Sequence, residues 1–152
     1  MAIQVSGTTV VDNSRNLTNI VGADIAGRLS IQDVSEGVTT SSSGSGTINF
    51  NLDAQAVIRM TVDQSANRTV NLQVTMDTTD CVTGALVLPM AGTAYYVNSI
   101  QVNGTTSGVS VRYVGGAISE GTPNAFNVYS FTIFETSANN YLVLVSKADF
   151  EA

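Results

Sequence analysis

From Thr47 to its end the chain alternates apolar and polar residues with a period of two. INFNL (48–52), AVIRMTV (56–62) and RTVNLQVTM (68–76) place aliphatic side chains at every second position. That spacing gives an extended chain one apolar and one polar face, and it cannot form a helical stripe, whose repeat is 3.6 residues. The same reading extends through ALVLPM (85–90), TAYYVNSIQV (93–102), SGVSVRYV (107–114), NVYSFTIFET (127–136) and YLVLVSKADF (141–150). QSAN (64–67), DTTD (77–80) and SANN (137–140) supply turn formers between runs, and the last reads as a hairpin turn. Many short strands joined by close turns predict an all-β fold, an antiparallel β-sandwich of jelly-roll-like type. Pro89, with no amide hydrogen to give a ladder, predicts a strand end at a sheet edge.

The alternation begins abruptly after VTTSSSGSG (38–46), a Ser/Gly run with little to bury, which reads as a linker. Three regions follow: an extended N-terminal arm over 1–37, the linker over 38–46 and the sandwich over 47–152. The arm opens with IQV (3–5) and TTVV (8–11), then the polar phrase DNSRNLTNI (12–20). A lone two-stranded hairpin is marginal in water, so these strands need a partner surface. Candidate interface residues are Ile3, Val5, Val10, Val11, Leu17 and Ile20, with the side-chain amides of Asn13, Asn16 and Asn19 available to unpaired backbone. IVGADIAGRL (20–29) is expected as coil because its glycines weaken a helix, and RLSIQ (28–32) is a possible short strand.

Only 12% of the residues are charged and the formal net charge is −6. The six basic residues are scattered singly, which argues against nucleic acid as a partner, since phosphate contacts need a basic cluster. No stretch reaches the length of a membrane span and no secretory leader is legible, so a soluble chain without membrane insertion is expected. There is no histidine, which removes the usual catalytic triads and zinc sets, and no cofactor is expected. Cys81, the single cysteine, is expected to be a small half-buried residue. Glu120 and Glu135 are the carboxylates to inspect for glycosidase chemistry, with solvated strand-end positions the simpler reading. Asp77 and Asp80 could face a calcium ion, but they are more simply turn residues that bond to nearby amides. Asn16, Asn67 and Asn103 each open an Asn-X-Thr triplet and read as turn asparagines. Tyr95, Tyr96, Tyr113, Tyr129 and Tyr141 are expected mainly as sheet-packing residues, with a sugar-stacking patch as the sharper alternative.

VSGTTVVDNSRNLTNI (5–20) resembles a phrase found at junctions of phage tail-fibre and other virion appendage proteins. The second half, from TINFNLDAQAVIRMTV through TPNAFNVYSFTIFETSANNYLVLVSKADF, is similar to β-rich domains of phage tail proteins. Where such domains often carry tryptophan, this chain has Tyr113 and Tyr141, and no functional residue carries over. The resemblance implies a non-enzymatic structural protein of the virion, a short homotrimeric tail fibre or fibre-like appendage serving assembly or host attachment. Its partners would be its own copies and other virion proteins, with a host surface glycan as a further ligand. A capsid decoration protein that stabilises the head is the alternative.

Overall fold

A computed structural model describes residues 3–5, 8–11 and 37–151. The chain divides into two units, Met1–Val34 and Ser35–Ala152. In the first, β1 (Ile3–Val5) and β2 (Thr8–Val11) pair antiparallel, with Ile3 opposite Val11 and Val5 opposite Thr8.

The second unit contains β3 (Val38–Ser41), β4 (Thr47–Asn51), β5 (Val57–Met60), β6 (Arg68–Gln73), β7 (Cys81–Pro89), β8 (Val97–Val102), β9 (Val109–Tyr113), β10 (Ala125–Ser137) and β11 (Asn140–Glu151). They form a six-stranded sheet in the order β3-β5-β7-β10-β11-β9 and a three-stranded sheet in the order β4-β6-β8. From β3 to β9 the chain changes sheet at every step. Each pair β3–β4, β5–β6 and β7–β8 is therefore one rung of a stack, and successive rungs pair in parallel. The long hairpin β10–β11 then inserts between β7 and β9. β10 runs antiparallel to both neighbours, and β11 pairs in parallel with β9.

This topology overturns the expected antiparallel, jelly-roll-like sandwich: one sheet is mixed and the other wholly parallel. The error has a physical source. Period-two alternation says that a strand has one buried face but not which way its neighbour runs. The short turns after β3 to β8 look like hairpins in sequence, yet they are corners between sheets. Parallel neighbours need a long crossover, and here a strand of the opposite sheet provides it. Two smaller expectations change as well. Val38–Ser41, at the start of the Ser/Gly run, is a strand paired with β5, and the loop after it is held by hydrogen bonds from Ser65 N to Gly44 O (2.8 Å) and from Arg68 Nη1 to Ser43 O (2.9 Å). Pro89 does end β7, but β7 is an interior strand, flanked by β5 and β10.

The inner faces of the two sheets share one core. Ile48, Phe50, Val70, Leu72, Ile100 and Val102 of the smaller sheet meet Leu86, Leu88, Phe131, Ile133, Val143 and Val145 of the larger. The rings of Phe50 and Phe131 cross edge to face at 6.4 Å, and each buried side chain of this size contributes about 1.5–3 kcal/mol. Gly84 is required here, because a Cβ would lie 2.4 Å from Leu52 Cδ2 and 2.9 Å from Phe50 Cζ. The Tyr129 hydroxyl accepts a hydrogen bond from Val97 N at 3.2 Å, which ties β10 to β8 across the core. Asn103 (φ 50°) and Gly104 (φ 83°) make the tight reversal after β8, since both central residues of such a turn must be left-handed. Val102 and Thr105 exchange hydrogen bonds across it.

Candidate functional site

The outward face of the three-stranded sheet is a set of uncharged polar ladders. Parallel register aligns Thr47 with Thr69 and Ser99, and Asn49 with Asn71 and Gln101. Asn71 is the anchor. Its Nδ2 donates to Asn49 Oδ1 at 2.9 Å, and its Oδ1 accepts from Gly104 N at 2.7 Å, so the turn after β8 folds over it and buries it. Asn103 completes the lock by pairing both ends of its amide with Val74 N and Val74 O at 3.0 Å. These amides take the place of strand neighbours.

The outward face of the six-stranded sheet has opposite chemistry. Strand register lays out rows across it: Pro89–Phe126–Phe150, then Arg59–Val87–Val128–Ala148, then Val57–Ala85–Ser130–Ser146. Below these run Thr83–Thr132–Leu144–Arg112 and Cys81–Phe134–Leu142–Ser110. These rows hold no acidic residue, although Asp63 and Glu151 border the first of them, and the two arginines stand on β9, at one margin, and on β5, flanked by Thr40 of β3. Phe126, Leu144 and Phe150 are 45%, 40% and 58% exposed. No other element of the second unit among the described residues lies over this face.

A third feature is a cleft of about 400 Å³ between the turn after β8 and the tip of the β10–β11 hairpin, lined by Asn103, Thr105, Ser107, Asn139, Asn140 and Tyr141 among others. Glu135 shapes it by accepting a hydrogen bond from Asn139 N at 2.8 Å, which holds Asn139 in its left-handed conformation (φ 59°). The lining offers amides and hydroxyls without a charged group.

Of the residues that the sequence marks as an interface, Ile3 and Val5 lie on β1 and Val10 and Val11 on β2; Asn13, Asn16, Leu17, Asn19 and Ile20 lie outside the described residues, as do the segments 20–29 and 28–32. Cys81 is exposed rather than half-buried, because it begins β7 on the outward face. Asp77 closes its own turn by accepting from Thr79 N (2.8 Å) and Thr79 Oγ1 (2.6 Å), and these bonds hold its carboxyl below the ordinary value. Asp80 accepts from Asp77 N in the same turn. Glu120 is exposed in the loop before β10. Asn67 accepts from Tyr96 N, so it and Asn103 are both structural. Tyr129 and Tyr141 are buried, while Tyr95 and Tyr113 pack partly buried against the core.

Arg68, missed by sequence reading, is buried at the start of β6. Its Nη1 donates to Ser43 O and to Gln64 Oε1, both at 2.9 Å, while Nε has no hydrogen-bond partner among the described residues. Burial pulls its pKa below the ordinary guanidinium value. Its reach to Ser43 is what turns the Ser/Gly run into a fixed loop. Among the described residues no group of three or more His, Cys, Asp or Glu is placed to hold a metal ion, and no helix is long and apolar enough to cross a membrane.

The apolar outward face was also missed, although the sequence carried a signal for it. ALVLP, FTIF and YLVLV are nearly continuous apolar runs, the pattern of strands covered on both faces. Comparison with protein-family models, with curated proteins and with solved structures finds no match.

Proposed function

We propose that the chain is a non-enzymatic structural protein of a phage particle, a component of a tail fibre or similar appendage that works by packing against other proteins. The observation that carries an assembly role is the broad outward face of the six-stranded sheet, largely apolar across β7, β10 and β11 and without an acidic residue in its rows. Exposed apolar patches beyond a few hundred Å² are uncommon on proteins that act alone. The rung stack supports the same reading, because in-register ladders fixed by Asn71 and Asn103 give a stiff body suited to bearing load. The placement in a virion rests on the resemblance of residues 5–20 and of the second half to appendage proteins. Within this reading the amide-lined cleft at the hairpin tip is the place for a host surface glycan, whose hydroxyls match such a lining.

Mass spectrometry of gradient-purified phage particles carrying this coding sequence should find the chain as a stoichiometric component. Its absence from intact particles overturns the virion assignment. Its position in an electron-microscopy map then separates an appendage on the tail from a decoration on the head.

A further inference from the structure

We infer that the outward face of the six-stranded sheet packs against the same face of a second copy of this chain. The inference rests on the assembly reading above and names its partner. The face is large enough. Eight residue steps from Phe126 to Phe134 span about 26 Å, and the six strands from β3 to β9 span about 24 Å, so the face covers on the order of 600 Å². A stable dimer buries about 800 Å² of accessible surface on each partner, and the accessible surface of a side-chain-covered face exceeds its flat footprint. One copy of the face is therefore sufficient for another.

Charge also permits a second copy. A twofold axis can lay the face on itself in two ways, with the axis along the strands or across them. On the lattice of rows and strands, neither overlay sets Arg59 or Arg112 over an arginine of the other copy. Across the six strands, the first sets Arg59 over β11 in the row of Ala148 and Arg112 beyond the end of the short β3, and the second exchanges the row of Arg59 for the row of Arg112 on the same strand. Arg112 stays at the rim and Arg59 one strand in from it, while the neutral rows of β7, β10 and β11 meet. Among the described residues Asp63 and Glu151 flank the Pro89–Phe126–Phe150 end of the face, and the axis across the strands keeps that end away from its counterpart by setting it over the Cys81 row. Sheets packed in this way lie about 10 Å apart, and the alternating Phe, Val, Leu and Ser rows supply side chains to fill that space.

Light scattering on the full chain at 10–100 μM, concentrations of about those at which modest interfaces form, should give a dimeric mass. Val128→Asp places a carboxylate at the centre of the face and should weaken association by about a hundredfold or more, as expected for an unpaired buried charge. Leu144→Asp should do the same. Thr69→Asp, on the polar sheet, should leave the dimer intact. Circular dichroism melts check that each variant is folded. Cys81 gives a second readout, because it sits in the outermost row of the face: its alkylation by a maleimide should slow as wild-type concentration rises and be independent of concentration in Val128→Asp. A monomeric wild type at 100 μM, or a folded Val128→Asp as associated as wild type, overturns the inference. A trimer unaffected by Val128→Asp does so as well and moves the interface to the N-terminal strands. None of these results bears on whether the chain is present in purified particles, so the two proposals fail separately.

Discussion

The outward faces of the two sheets come from the same alternating sequence, yet one is wholly Thr, Asn, Ser and Gln and the other mixes Val, Phe, Leu and Ala with a few Thr and Ser. Over the three-stranded sheet each outward position has a polar neighbour on the next rung, so amides and hydroxyls satisfy one another and water covers the rest. Over the six-stranded sheet the outward positions of β7, β10 and β11 hold no amide, and their hydroxyls, Thr83, Thr132, Ser130 and Ser146, stand among Val, Phe, Leu and Ala. A parallel sheet usually needs both faces covered. The smaller one escapes that need through its ladders, whereas the larger behaves as a sheet still lacking a layer. Polarity of the second face, more than strand order, marks which side of this fold can stand in water.

The contrast presumes that both faces stand on a single core. Phe131→Ala removes the ring that meets Phe50 and should cost about 3–5 kcal/mol in urea denaturation, with both sheets lost in one transition. A separate early melting of the three-stranded sheet would mean that the two faces belong to independent bodies.

A smaller effect tests the bond that joins the sheets. Burial raises Tyr129 from 10.0 to about 12, partly offset by the hydrogen bond from Val97 N. Below pH 10 the folded and unfolded chains both keep the phenolic proton and this group adds no pH dependence. Between pH 10 and about 12 the unfolded chain releases a proton that the folded chain retains, so stability should fall by about 1.4 kcal/mol per pH unit. Tyr129→Phe should flatten that part of the slope in urea midpoints measured from pH 9 to 12. An unchanged slope would assign the alkaline loss to other groups.

A matched pair of small changes separates the two faces. Asn71→Ala strips partners from Asn49 and Gly104 and should cost about 1–3 kcal/mol. Val128→Thr on the other face should change the unfolding free energy of the isolated monomer by no more than about 0.5 kcal/mol, the usual range for a surface site. Equal costs would mean that the apolar face already packs against something within its own chain.

The strands themselves were legible. INFN, VIRM, RTVNLQ and the later runs all became strands, and the turn in SANN joins β10 to β11, because alternation and turn chemistry are local properties. Pairing was not legible, since whether β5 lies beside β6 or beside β7 depends on a corner of a few residues whose direction composition does not encode. Arg68 was hidden for a similar reason: nothing local distinguishes it from Arg59, and only the return of the Ser43 carbonyl in space makes it a buried anchor. Asn103 could be recognised as a turn former from its Asn-Gly pair. Its second role, clasping Val74, needs the fold.

The insertion of β10 and β11 between β7 and β9 also sets an order of events on the ribosome. The three rungs through β8 can close as they emerge, each against the one before it. β9 cannot, because its partner β11 begins at Asn140, long after Tyr113 has been made. Until the hairpin arrives, β7 presents a bare edge and β9 trails unpaired, for a few seconds at translation speeds of about 5–20 residues per second. Nascent chains stalled between Tyr113 and Ala125 should therefore be the form most open to chaperones, and β11 is the strand that completes the sheet.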